Sequence, residues 1–162
     1  MRRWGRLRDW LPAIVWACVI SSLSTDTFSA DHTGRFIIPV LRWVFPHASD
    51  PSILLMHALI RKCAHFVEYF VFSVFLTHGL RGKERGWKLR WALWAVAIAA
   101  GYAALDEFHQ WFVPSRTASP WDALLDTTGA AVAQIVLWRW YAPRLRLTSA
   151  DGAKERAVSG SD

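Results

Sequence analysis

The apolar residues of this chain fall into four runs, at residues 10–23, 64–80, 91–105 and 121–140, and its charges are swept to the ends of those runs. That segregation restricts the fold more than any single motif does. A run that is apolar on every side forms a helix that needs an apolar environment all round, whereas a helix on a soluble core is apolar along one stripe. With 162 residues, 53% of them hydrophobic and 11 of them Trp, the chain carries more apolar surface than a soluble core of that size can hide. The expected fold is all-α: an integral membrane four-helix bundle with an interfacial amphipathic segment in the first outer loop.

Residues 1–9 hold Arg2, Arg3, Arg6 and Arg8 and are expected to form a basic cytoplasmic N-terminus. A basic segment before a short apolar run also opens a signal peptide, but no good small-x-small cleavage site follows, so an uncleaved first helix is the better reading. Within the loop after it, residues 36–45 form an amphipathic insert too short to span, which is expected to lie in the interface. The second helix is expected from about Pro51 to Gly79. The third runs from Trp91 to about Leu105 and continues as helix to Gln110 or Trp111. A tight Pro/Ser loop then leads into the fourth, which starts near Trp121. Residues 10–141 make the membrane domain, and residues 142–162 are expected to be a polar, disordered cytoplasmic tail.

The net charge of +6 raises the question of nucleic acid. The basic residues flank apolar runs and form no helical stripe, so no nucleic-acid partner is expected. They read instead as topology signals. The N-terminus, the loop with Arg81, Lys83, Arg85, Lys88 and Arg90, and the segment with Arg139, Arg144 and Arg146 hold most of them. The positive-inside rule then puts both termini in the cytoplasm. Trp4, Trp87, Trp91, Trp138 and Trp140 fall at the inner boundary, and Trp43, Trp111 and Trp121 at the outer one. Cys18 and Cys63 have no metal or redox spacing and are expected to pack.

Given that topology, the remaining polar residues share one level. Arg61, His65, Glu68, Tyr69 and Phe72 recur at three and four along the second helix; Tyr102, Asp106, His109 and Gln110 do so along the third. In the fourth, Asp122, Asp126, Gly129 and Ala133 form another stripe. Charges facing lipid are costly, so these stripes are expected to converge on one another in an outward polar site. Gly129, Ala130, Ala131 and Ala133 leave room for a second backbone to come close.

Two blocks carry a family resemblance. Residues 61–69, RKCAHFVEY, look like the K-x-x-H-F-x-x-Y block of the VanZ-like membrane proteins, a family named for a teicoplanin-resistance protein. Asp106-Glu107, Gln110, Phe112, Pro114, Arg116, Ser119, Asp122, Asp126 and Gly129 resemble its second block, and Ser21-Ser22 its start. The likeness covers about residues 10–140. Arg61 stands where many members have an acid, Asp126 where Asn is usual and Ala133 where a second Gly is common. The resemblance implies a four-span protein of the bacterial cytoplasmic membrane, linked to glycopeptide resistance.

The binding residues expected are Lys62, His65, Tyr69, Asp106, Glu107, Gln110, Arg116, Asp122 and Asp126, with His65, Glu68, Asp106 and Glu107 the candidates for acid–base chemistry. A metal at His65, Glu68, Asp106, Glu107 and His109 is the weaker reading, because no recognised ligand spacing is present. No cofactor is expected. Arg116 is expected either to close the loop onto Asp122 or Asp106 or to grip an anionic head group, Lys62 to snorkel to the interface, and His109 to lie at the surface. The partner expected is membrane lipid, with a cell-wall precursor or a glycopeptide at the polar site. The alternative is a membrane-embedded enzyme acting on a lipid or peptidoglycan precursor, although no nucleophile motif or phosphate-binding glycine loop appears.

Overall fold

A computed structural model describes residues 2–25, 30–112 and 119–159, with side chains described for 7–25, 32–112 and 119–141. These residues form α1 (Arg2–Leu23), α2 (Ala30–Val44), α3 (Asp50–Arg81), α4 (Leu89–Gln110) and α5 (Pro120–Ser159). There is no strand among them. The all-helical expectation therefore holds, and the amphipathic insert is a helix of its own, α2.

α3 is the central element, packed against each of the other four helices. Its 32 residues reach about 48 Å at the usual rise. Its start is prepared by extended Ser49, by Asp50 in the first turn and by Pro51, whose missing N–H costs nothing there. Asp50 also takes a 2.9 Å hydrogen bond from Arg42 of α2. The helix stops at Gly82, whose φ of 56° is left-handed and whose N–H returns to the His78 carbonyl. In the loop beyond, Glu84 pairs with Lys88 and Arg90, and both cations lie over the Trp91 ring that opens α4.

Small residues let the helices close up. Ala95, Ala99 and Ala103 make a fully buried stripe on α4, with Ala130 and Ala133 doing the same on α5. Around them lie Ala13 and Ile20 of α1 and Tyr69, Phe72 and Leu76 of α3. Trp16 of α1 meets Phe75 edge-on at 5.8 Å and donates its indole N–H to the Glu68 carbonyl at 2.9 Å. Buried within the α3–α5 seam is a polar network the sequence reading did not single out. Gln134 Nε2 donates to Ser73 Oγ at 2.7 Å and Thr77 Oγ1 at 2.8 Å, while Ser73 donates to the Ala130 carbonyl at 3.0 Å. Ser73 and Thr77 are four apart, so both reach the same neighbour.

Three expectations need correction. α1 begins at Arg2, ahead of the apolar run that starts at Trp10; its Arg and Leu residues are good helix formers and outweigh Gly5 in the first turn. The segment expected as a disordered tail is instead the end of α5, which runs to Ser159; its Ala, Leu, Lys, Arg and Glu content favours helix locally. Cys18 and Cys63 are exposed and do not pack in the core.

Large apolar side chains cover the outside of the bundle. Leu11, Ile14 and Val15 on α1, Val67 on α3, Leu93 and Trp94 on α4, and Leu124 and Ile135 on α5 are all exposed. Averaged along its length, however, no described helix is long and apolar enough to cross a membrane. The polar stripes of α3, α4 and α5 lower those averages, as does the Trp content.

Candidate functional site

The three polar stripes expected from spacing meet at one end of the bundle. α3 brings Lys62, His65, Glu68 and Tyr69, α4 brings Tyr102, Asp106, Glu107 and Gln110, and α5 brings Asp122 and Asp126. The seam that joins them is tightest at Gly129, where an added Cβ would lie 2.4 Å from the Phe66 carbonyl oxygen. That approach lays the first turns of α5 directly on the middle of α3.

The contacts follow from it. Lys62 Nζ donates to Asp122 Oδ1 at 2.8 Å, so it bridges α3 to α5 and does not snorkel as expected. The nearer carboxylate takes the ammonium, since the start of α5 stands within reach of the Lys62 stem. His65 Nδ1 lies 3.8 Å from Glu68 Oε2 and 4.0 Å from Asp126 Oδ1. Glu107 Oε2 accepts the Ser119 N–H at 2.7 Å, placing a carboxylate at the N-terminal end of α5, where the helix dipole favours it. Arg116 and Pro114 lie outside the described residues, and with them the expected pairing of Arg116.

Deeper in, Tyr69 and Asp126 are 0% and 2% exposed. The Tyr69 hydroxyl and Asp126 Oδ1 have no hydrogen-bond partner among the described residues. Glu107, Glu68, Asp106 and Asp122 all act electrostatically on Asp126, and Asp126, Asp106 and Glu68 on Tyr69. Carboxylates from three helices thus share one field.

The α1 side of the site was legible only in Ser21-Ser22. Gln110, expected at the binding site, turns to α1: its Nε2 donates to Ser24 Oγ at 2.8 Å and to Asp106 Oδ2 at 2.9 Å. The Tyr102 hydroxyl donates to the Ala17 carbonyl at 2.8 Å and sits 2.6 Å from Ser21 Oγ. Ser21, Tyr102, Leu105, Asp106 and His109 line a cleft of about 280 Å³ between α1 and α4. His109 is on the surface there, as expected. Among the described residues no group of three His, Cys, Asp or Glu side chains is placed to hold a metal ion.

His57 is a further residue that sequence reasoning passed over. It is buried between α2 and α3, 3.4 Å from Thr33 Oγ1 and against Gly34. Burial, then the nearby Arg61 charge, holds its imidazole below the ordinary value of 6.5.

Five helices among the described residues, with an acid-rich polar end and a small-residue seam that assembles them, define the class: a small helical protein with a polar site at a helix-bundle end. The chain belongs to the VanZ/LLP1 family, whose model matches residues 10–141. No curated protein and no solved structure matches it.

Proposed function

We propose that the chain is an integral membrane protein of the bacterial cell envelope whose polar end faces outward. There it engages a cell-wall precursor, a lipid head group or a glycopeptide, and it contributes to tolerance of teicoplanin-type drugs. One observation carries the reading: polar side chains from three helices converge at one end, while the sides of the bundle expose large apolar groups such as Trp94 and Ile135. An apolar mantle on all sides is unfavourable in water and favourable in hydrocarbon. Hydropathy averaged along a helix mixes the inward polar face with the outward apolar one, so the mantle is the more direct guide to the surroundings.

In this reading α1, α3, α4 and α5 cross the cytoplasmic membrane, α2 lies at its outer surface, and both termini are cytoplasmic. The basic loop around Arg81 and Lys88 supports the orientation, and family membership supports the link to glycopeptides. The glycopeptide role is tested by deleting the gene and measuring teicoplanin susceptibility and precursor composition. Loss of tolerance is expected; both measurements unchanged would sink the proposal.

A second reading, an enzyme acting on a lipid or peptidoglycan precursor, is favoured by the buried carboxylate oxygen of Asp126, which lacks a hydrogen-bond partner among the described residues. Such a group is suited to take or give a proton on a bound substrate. His65→Ala and Asp126→Asn, expressed at normal level, distinguish the two: altered envelope lipids or muropeptides would favour the enzyme.

A further inference from the structure

The cleft between α1 and α4 is not a continuation of the Lys62–Asp122 mouth. α1 packs on α3, and it reaches α4 through polar side chains: Tyr102 to Ala17 and Ser21, and Gln110 to Ser24. Between those ties the seam opens sideways, out of the bundle wall. Its lining divides into a polar floor and an apolar rim. Asp106 gives Oδ2 to Gln110, while its Oδ1 makes no hydrogen bond or ion pair among the described residues. The His109 side chain lines the same cleft. Leu105 is exposed on the rim. Trp94, Gly101, Leu105 and Phe108 continue as a stripe at three-, four- and seven-residue spacing along α4, and at Gly101 a Cβ would meet nothing within 4 Å. The stripe is therefore an open apolar strip on α4 that leads into the cleft at Leu105, beside the Asp106 carboxylate.

We infer that this cleft is a lateral binding site for a lipid whose head group carries a primary ammonium next to a phosphate. The ammonium donates to Asp106 Oδ1, where a charge-assisted hydrogen bond replaces water at a half-buried carboxylate. The phosphate accepts from the His109 ring. One acyl chain lies along Gly101 and the exposed face of α4. A quaternary ammonium has no N–H to donate, and a head group without a cation leaves Asp106 opposed to the phosphate, so both bind less well. Tyr102 links the cleft to the deeper site: its ring stands 5.3 Å from Phe72, which in turn meets Tyr69. A head group on Asp106 thereby lies on the flank of the sealed Tyr69–Asp126 pair, separated from it by the packed rings of Tyr102 and Phe72.

The inference rests on the membrane reading above, and the two are separable by experiment. Carbonate extraction of cell membranes tests the membrane reading alone: release of the full chain into the soluble fraction would remove it. The cleft is tested on full-length protein purified in detergent, by native mass spectrometry against phosphatidylethanolamine, phosphatidylcholine and phosphatidylglycerol at equal concentration. Retention of phosphatidylethanolamine about tenfold over the other two is expected, as a hydrogen bond to a charged group is worth at least that factor. Asp106→Asn keeps the acceptor for Gln110 and should abolish the preference while helicity by circular dichroism is unchanged. Should the variant lose its fold, Gly101→Leu, which adds bulk on the open strip away from the polar groups, is to weaken all three lipids together. Equal retention of the three lipids by the wild type overturns the inference. So does displacement of phosphatidylethanolamine by free phosphoethanolamine at comparable concentration, which would make the ligand a soluble amine.

Discussion

Gly129 of α5 stands so close to Phe66 of α3 that its missing side chain is replaced by the Phe66 carbonyl; a Cβ there would lie 2.4 Å from that oxygen. Backbone against backbone is the tightest contact two helices make, and here it sets the height at which Asp126 meets His65. The neighbour that would have to yield is itself helical main chain, so relief requires the helices to part.

Gly129→Ala is accordingly expected to destabilise the protein by about 1–3 kcal/mol, the usual cost of overpacking a close seam. Thermal unfolding of the purified protein measures it. Gly101→Ala is the matched control, because the space beside Gly101 is open. It should be neutral or stabilising by up to about 1 kcal/mol, as Ala is the better helix former.

Gln134 holds Ser73 and Thr77 in a buried seam. Gln134→Ala should cost about 1–3 kcal/mol, since it opens a cavity and removes a donor from two buried hydroxyls. A double-mutant cycle with Ser73→Ala should show a coupling of about 0.5–2 kcal/mol. Strict additivity would mean the hydrogen bond contributes nothing.

The Lys62–Asp122 pair is 54% and 35% exposed at its two side chains. Its contribution is therefore small, about 0–1 kcal/mol, and screened by salt. Lys62→Glu opposes two carboxylates and should lower the melting temperature more at low than at high ionic strength. Charge reversal of both partners should restore most of the loss.

His57 couples α2 to pH. Its imidazole is held below 6.5 in the docked state by burial and by Arg61. The undocked helix therefore binds a proton more readily than the docked one, and docking is strengthened as pH rises. It is fully present above 6.5 and lost as pH falls through the lowered value. Hydrogen exchange of residues 32–44 should be faster at pH 5 than at pH 8 in the wild type. In His57→Gln the two rates should converge once the intrinsic pH dependence of exchange is removed.

Much of this was legible one residue at a time. The spacing of Arg61, His65, Glu68 and Tyr69 gives one helix face whatever the helix packs against, and the apolar runs separated by charged loops give α1, α3, α4 and the first half of α5. Lys62 was misread because sequence offers a long cation only a destination in water; its actual partner, Asp122, lies 60 residues away. Gln134, Ser73 and Thr77 were passed over because an uncharged polar residue in an apolar run carries no address. Gln110 shared a stripe with Asp106 and turned out to tie α4 to Ser24 of α1.

Periodicity and charge placement are local properties, and by themselves they determined the helices, their inward faces and the level at which the polar residues stand. Which carboxylate meets which cation, that α1 leaves a cleft beside α4, and that Tyr69 and Asp126 are sealed under the polar end were decided by tertiary structure alone. Those outcomes depend on how closely α3 and α5 approach, and that distance is set across the seam, where Gly129 lets the Phe66 carbonyl in.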